Sequence, residues 1–187
     1  AFSGCKNLKN VSFEAGTTVI AYKLFSNCTG LEKITIPDTV TTIKGNAFYE
    51  CSNLAKVKLS ENLTVIEADA FQECNSLQNI ELPEGLSEIK DRAFYQCSNL
   101  KEIKIPDSVT KIEGSAFYEC KKLQNVTLSK NLESLGSSTF GNCDGLTQIE
   151  IPKSLERAGD DYFASYAPGA FSGCKNLKNV SFEAGTT

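Results

Sequence analysis

A phrase of Ala-Phe, two variable residues, Cys, two more, then Leu-x-x-Ile-x-Ile recurs in this chain every 23 residues. It begins at Ala1, Leu24, Ala47, Ala70, Ala93, Ala116 and Thr139, and again at Ala170 after a longer gap. A fixed period in this range builds a solenoid, in which each coil buries its apolar side against the next. The chain therefore reads as a single repeat domain over residues 1–187, of about eight repeats.

One repeat shows how a coil is made. In Leu24–Asn46 the inward candidates are Phe25, Cys28, Leu31, Ile34, Ile36, Val40 and Ile43. Alternation around Ile34 and Ile36 predicts a short strand with one buried face. Pro37 follows, and Pro83, Pro106 and Pro152 fill the same slot elsewhere. Proline lacks an N–H and ends the strand. A second apolar pair comes next (Val40/Ile43, Leu63/Ile66, Leu86/Ile89, Val109/Ile112, Leu132/Leu135), then a polar corner. The Ala-Phe-to-Cys segment has room for at most one turn of α or 3₁₀ helix. Stacking at roughly 4.8 Å would place Phe2, Phe25, Phe48, Phe71, Phe94, Phe117, Phe140 and Phe171 in one aromatic spine. The same stacking would join the Leu-x-x-Ile-x-Ile segments into a parallel sheet, with right-handed coils.

At this point the residues resemble a known family. The phrase AFYECSNLAKVKLSENLTVIEAD (residues 47–69) and its copies resemble the BspA-like (Treponema-type) leucine-rich repeats, and the likeness covers nearly the whole chain. The resemblance implies a β-rich leucine-rich repeat solenoid of the α/β-horseshoe class. It implies a concave parallel β-sheet and a convex side of short turns, 3₁₀ or short β segments. It also implies an extracellular or cell-surface location and adhesion to host or neighbouring-cell proteins. The family is defined by its scaffold, so the partner does not transfer.

The eight cysteines, at 5, 28, 51, 74, 97, 120, 143 and 174, share one slot. They read as small buried hydrophobes in a ladder rather than as disulfides, because pairing would make alternate coils differ. No Cys-x-x-Cys occurs and His is wholly absent, which argues against zinc and excludes Ser-His-Asp or Cys-His catalysis. No glycine-rich phosphate loop follows a strand. The expectation is a non-catalytic chain with no cofactor. A net charge of −4 argues against general nucleic-acid affinity, and no apolar run is long enough to span a membrane.

Three surfaces are candidates for contact with a partner. The outward positions of the predicted sheet carry seven Lys against four Glu, with Lys56, Lys58, Lys101 and Lys104 at its middle. A weakly basic face suits an acidic protein or a glycan; a solvated sheet of mixed charge is the competing reading, since no aromatic or Arg anchor sits there. Tyr49, Tyr95 and Tyr118 share the slot after the core Phe, interrupted by Gln72. They form either an exposed contact ridge or flat covers over the core. The third is an insertion near residues 157–169, with Asp160, Asp161, Tyr162 and Tyr166. It is a binding loop, a bulge, or a seam where two pieces were joined. Two adjacent acids fall far short of a calcium site.

Met is absent, and AFSGCKNLKNVSFEAGTT occurs twice, at residues 1–18 and 170–187. These features point to a segment of a longer protein and to a recent duplication or deliberate construction. No polar capping repeat is recognisable, so head-to-tail self-association is a further expectation. The alternative to a binding module is a structural spacer whose repeats only supply length.

Overall fold

The structure is a computed structural model that describes residues 1–158 and 168–184. The coils stack in register, and three backbone ladders run along the stack. The longest is a seven-stranded parallel sheet of two-residue strands. These are β1 (Val19–Ile20), β3 (Thr42–Ile43), β5 (Val65–Ile66), β6 (Glu88–Ile89), β8 (Lys111–Ile112), β10 (Ser134–Leu135) and β12 (Arg157–Ala158). They pair in that order, with Ile20 on Ile43, Ile43 on Ile66 and so on to Leu135 on Ala158.

The second ladder holds the Leu-x-x-Ile-x-Ile segments. Here β2 (Lys33–Thr35) pairs with β4 (Lys56–Lys58), β7 (Glu102–Lys104) with β9 (Asn125–Thr127), and β11 (Gln148–Ile151) with β13 (Asn179–Phe182), all parallel. The continuous sheet expected on this side is therefore broken into pairs, and the unbroken one lies at the second apolar pair. In particular, Ile103 and Ile105 do not share a sheet with Ile80 and Leu82, because the fourth coil carries no strand there. All four side chains nevertheless stay buried. Inward packing sets their direction, while strand pairing also needs aligned backbone from the neighbouring coil.

The third ladder runs along the Ala-Phe corner. The Phe25 N–H donates to the Ala47 carbonyl at 2.9 Å, and Phe48, Phe71 and Phe94 repeat the bond onto Ala70, Ala93 and Ala116 at 2.8 Å. Two residues after each Phe, Asn27, Glu50, Glu73 and Gln96 donate to Tyr49, Gln72, Tyr95 and Tyr118 of the next coil. These bonds pair backbone groups that would be costly to bury alone. The corner holds no helical turn. Lys23, Asn46, Asp69, Arg92, Ser115 and Ser138 have φ between 52° and 57°, and Asn27, Glu50, Glu73, Gln96, Glu119 and Asn142 between 54° and 60°. A left-handed residue on either side of each Phe cannot belong to a right-handed helix.

Inside, the aromatic spine is complete. From Phe2 to Phe171 successive rings stack with centroids 5.1–5.9 Å apart and planes within 17°. Each ring buried between two coils contributes about 2–3 kcal/mol by removal from water. Stacking adds about 0.5–1.5 kcal/mol per pair. The cysteines lie alongside. All are free; six are buried, Cys174 is half-buried and Cys5 is exposed. Each Sγ from coil 2 onward donates to the carbonyl of the preceding coil's Phe. Cys51 reaches Phe25 at 3.0 Å, Cys74 reaches Phe48 at 3.2 Å and Cys97 reaches Phe71 at 3.2 Å. The thiol is thus small enough for the core and able to use a buried acceptor.

The Pro slot tolerates serine because the turn needs only its carbonyl. Val40 N–H donates to Pro37 O at 2.9 Å, and Leu63 N–H to Ser60 O at 3.2 Å. The longer repeat preserves the ladders too. β12 keeps register with β10, so the additional chain lies after Ala158, and Phe171 still stacks on Phe140 at 5.5 Å.

Candidate functional site

The outward side chains of the second ladder line a cleft of about 910 Å³ over the first four coils. Its lining includes Lys9, Lys33, Lys56 and Lys58 together with Glu61, Glu81 and Glu84. The half-buried Val11 and Val57 and the buried Ile34 and Ile80 also border it. Alternation places the lysines: in Lys56-Val57-Lys58 the valine faces inward, so both flanking lysines face the cleft.

The register of β2 on β4 sets Lys33 directly beside Lys56, and Thr35 beside Lys58. Like charges side by side on neighbouring strands repel. Among the described residues, no carboxylate lies within ion-pair distance of Lys9, Lys33, Lys56 or Lys58. Lys101 and Lys104 differ. The Lys101 ammonium donates to Gln78 Oε1 at 3.0 Å, and Lys104 pairs with Glu84 at 3.2 Å. The four sequence candidates thus separate into two with partners and two without. Lys9 and Lys33 join the second group, and register sets Lys33 against Lys56.

The tyrosines divide as well. Tyr95 and Tyr118 stack at 5.2 Å with planes 11° apart, and the Asn142 amide donates to the Tyr118 hydroxyl at 2.7 Å. Both are half-buried, so this pair combines the two expected roles. Burial, followed by the neighbouring Glu119 carboxylate, holds the Tyr95 hydroxyl above its ordinary value. Tyr49 lies apart, beside a polar depression of about 490 Å³ lined by Lys23, Asn46, Asp69, Gln72 and Arg92. The neighbouring Glu50 carboxylate, and then burial, push its hydroxyl pKa up to about 12. Asp160, Asp161, Tyr162 and Tyr166 lie outside the described residues.

Among the described residues, no group of three His, Cys, Asp or Glu side chains could hold a metal. No described helix is long and apolar enough to cross a membrane.

Comparison with known proteins settles the family. The description "BspA type Leucine rich repeat region (6 copies)" matches residues 1–97 and 52–167. The chain belongs to the BspA-type leucine-rich repeat family. Solved members share the architecture. A leucine-rich repeat protein from Bacteroides ovatus is 32% identical with a TM-score of 0.79, over 88% of this chain and 41% of its own. The Leucine Rich Repeat protein of T. pallidum is 30% identical with a TM-score of 0.75, over 86% of this chain and 72% of its own. A leucine rich cell surface protein from Faecalibacterium prausnitzii is 30% identical with a TM-score of 0.73, over 94% of this chain and 46% of its own. No curated protein matches the chain significantly. The BspA-type solenoid here spans less than half the length of the Bacteroides and Faecalibacterium proteins.

Proposed function

We propose that this segment is a non-catalytic protein-binding module of a cell-surface or secreted protein, and that its cleft over the first four coils receives an acidic segment of a partner protein. The surface location is supported by the Faecalibacterium relative, which is described as a cell surface protein. The observation that carries the binding reading is the set Lys9, Lys33, Lys56 and Lys58. They converge on one cleft, two of them abut in register, and none has an acidic neighbour at pairing distance among the described residues. A spacer gains nothing from such an arrangement, whereas an anionic ligand would relieve its repulsion.

The test uses a fluorescein-labelled Glu-rich peptide as probe and titrates it by anisotropy at 50 and 300 mM salt. Binding should weaken at least about tenfold across that range, as expected for contacts between exposed charges. Charge reversal at Lys33, Lys56 and Lys58 should abolish it, while Lys101→Glu with Lys104→Glu should weaken it far less. Equal loss in both variants, or binding indifferent to salt, refutes the assignment of the cleft.

A further inference from the structure

The slot after the core Phe forms a column along the Ala-Phe corner, filled by Ser26, Tyr49, Gln72, Tyr95, Tyr118 and Gly141 in coils 2 to 7. Tyr95 and Tyr118 show how the column treats rings. They lie flat on each other at 5.2 Å, and a Cβ on Gly141 would come within 2.8 Å of the Tyr118 ring. Tyr49 has no ring in either neighbouring slot, since Ser26 precedes it and Gln72 follows it. It borders the polar depression of about 490 Å³ instead.

That depression shares no lining residue with the lysine cleft. Small-molecule sites have volumes of about 300–1,000 Å³ but are mostly apolar, and this one is not. Asn27, Asn46 and Gln72 bring amides to it, and Ser26, only 4% exposed, brings a hydroxyl. Asn27 Nδ2 donates to Ser26 Oγ and Gln72 Nε2 to Glu73 Oε1, both at 3.1 Å, so two of the amides are held in place. Groups that donate and accept suit a ligand dense in hydroxyls.

The charges do not balance. Among the described residues that line it, Asp69 is the one carboxylate, and Arg92 Nε pairs with it at 3.2 Å. Arg92 is itself shared with Asp91 at 2.9 Å. Lys23 has no carboxylate at ion-pair distance among the described residues; its ammonium lies 5.3 Å from the Tyr22 ring. The left-handed backbone of this column suits Asn46 and Asp69, residue types that favour it, but gives no reason for a lysine at position 23.

We propose that this depression binds a carboxylated sugar, whose ring lies on Tyr49, whose hydroxyls meet the amides of Asn27, Asn46 and Gln72, and whose carboxylate faces Lys23. A sugar ring has an apolar face for the aromatic ring, and its hydroxyls exchange water for amide partners. A neutral sugar leaves Lys23 unused, and a bare carboxylate leaves Tyr49 unused.

Saturation-transfer NMR and calorimetry test this with three probes: methyl β-glucuronide, methyl β-galacturonide and the methyl glycoside of N-acetylneuraminic acid. Methyl β-glucoside and acetate are the controls. At least one acidic sugar should bind at about millimolar strength, at least about tenfold tighter than the glucoside, and acetate should not bind. Tyr49→Ala should abolish binding. Lys23→Gln, at an exposed position where folding is unaffected, should lower the acidic sugar to the level of the glucoside. Lys33→Glu with Lys56→Glu should leave sugar binding unchanged, which separates this site from the cleft. The proposal is overturned if none of the acidic sugars binds, if acidic and neutral sugars bind equally, or if binding survives Lys23→Gln but is lost in the cleft variant.

Discussion

Raising the pH should unfold this protein through its cysteine ladder. Burial pushes Cys51 and Cys97 from the ordinary 9.0 up to about 12, and lifts Cys74 and Cys120 well above 9.0. Between those values the unfolded chain releases thiol protons that the folded chain retains. The contribution of these four thiols is therefore fully present below pH 9 and is lost as pH rises toward 12. Each unit of pH above 9 removes about 1.4 kcal/mol per thiol. The four thiols together would forfeit about 6 kcal/mol by pH 10, against a typical domain stability of about 5–15 kcal/mol. Urea titration followed by far-UV circular dichroism, with reductant present, should show the midpoint collapsing between pH 9 and 10. Replacing Cys74 and Cys97 by Ala removes two titrating groups. That variant starts less stable but should lose about half as much over the same interval. A midpoint equal at pH 7.5 and 10, or an unchanged pH slope in the double variant, would refute the reasoning.

Two further outcomes follow from the packing. Phe94→Ala opens a gap between the rings of Phe71 and Phe117 and should cost about 3–5 kcal/mol in urea unfolding, whereas a cost below about 1 kcal/mol would show that the spine carries little. Glu73 has φ 60°, and the same column holds Gly4 and Gly173. Glu73→Gly should therefore change stability by no more than about 1 kcal/mol, while Glu73→Val should destabilise by about 1–2 kcal/mol; the reverse order would contradict a left-handed backbone there.

The spine and the thiol ladder were legible because each needs only one residue per period. Phe48 and Cys51 identify their slots by recurrence alone, and stacking follows from the period. Strand pairing was not legible, and the duplicated segment shows why. Asn179–Phe182 is a strand in coil 8, whereas the same letters at Asn10–Phe13 are not. The neighbouring backbone decides, and no local propensity can report it. The left-handed corners were hidden for a related reason. Only Gly4 and Gly173 announce that column; elsewhere glutamate or an amide occupies it, held by bonds to the next coil. The cleft was half legible. Lys56 and Lys58 are evident from alternation, but the partnering of Lys101 and Lys104, and the approach of Lys33 to Lys56, depend on register and rotamers.

The step from coil 7 to coil 8 takes eight more residues than any other, yet β12 below it and Phe171 above it occupy their usual slots. Adhesion between turns is thus indifferent to the number of residues between Ala158 and Pro168. Closure entropy grows only logarithmically with loop length, about 0.6 kcal/mol per doubling. The stretch of sequence between Ala158 and Pro168 is consequently a place where selection or an engineer can graft, lengthen or rewrite a segment while the ladders before and after it keep their register.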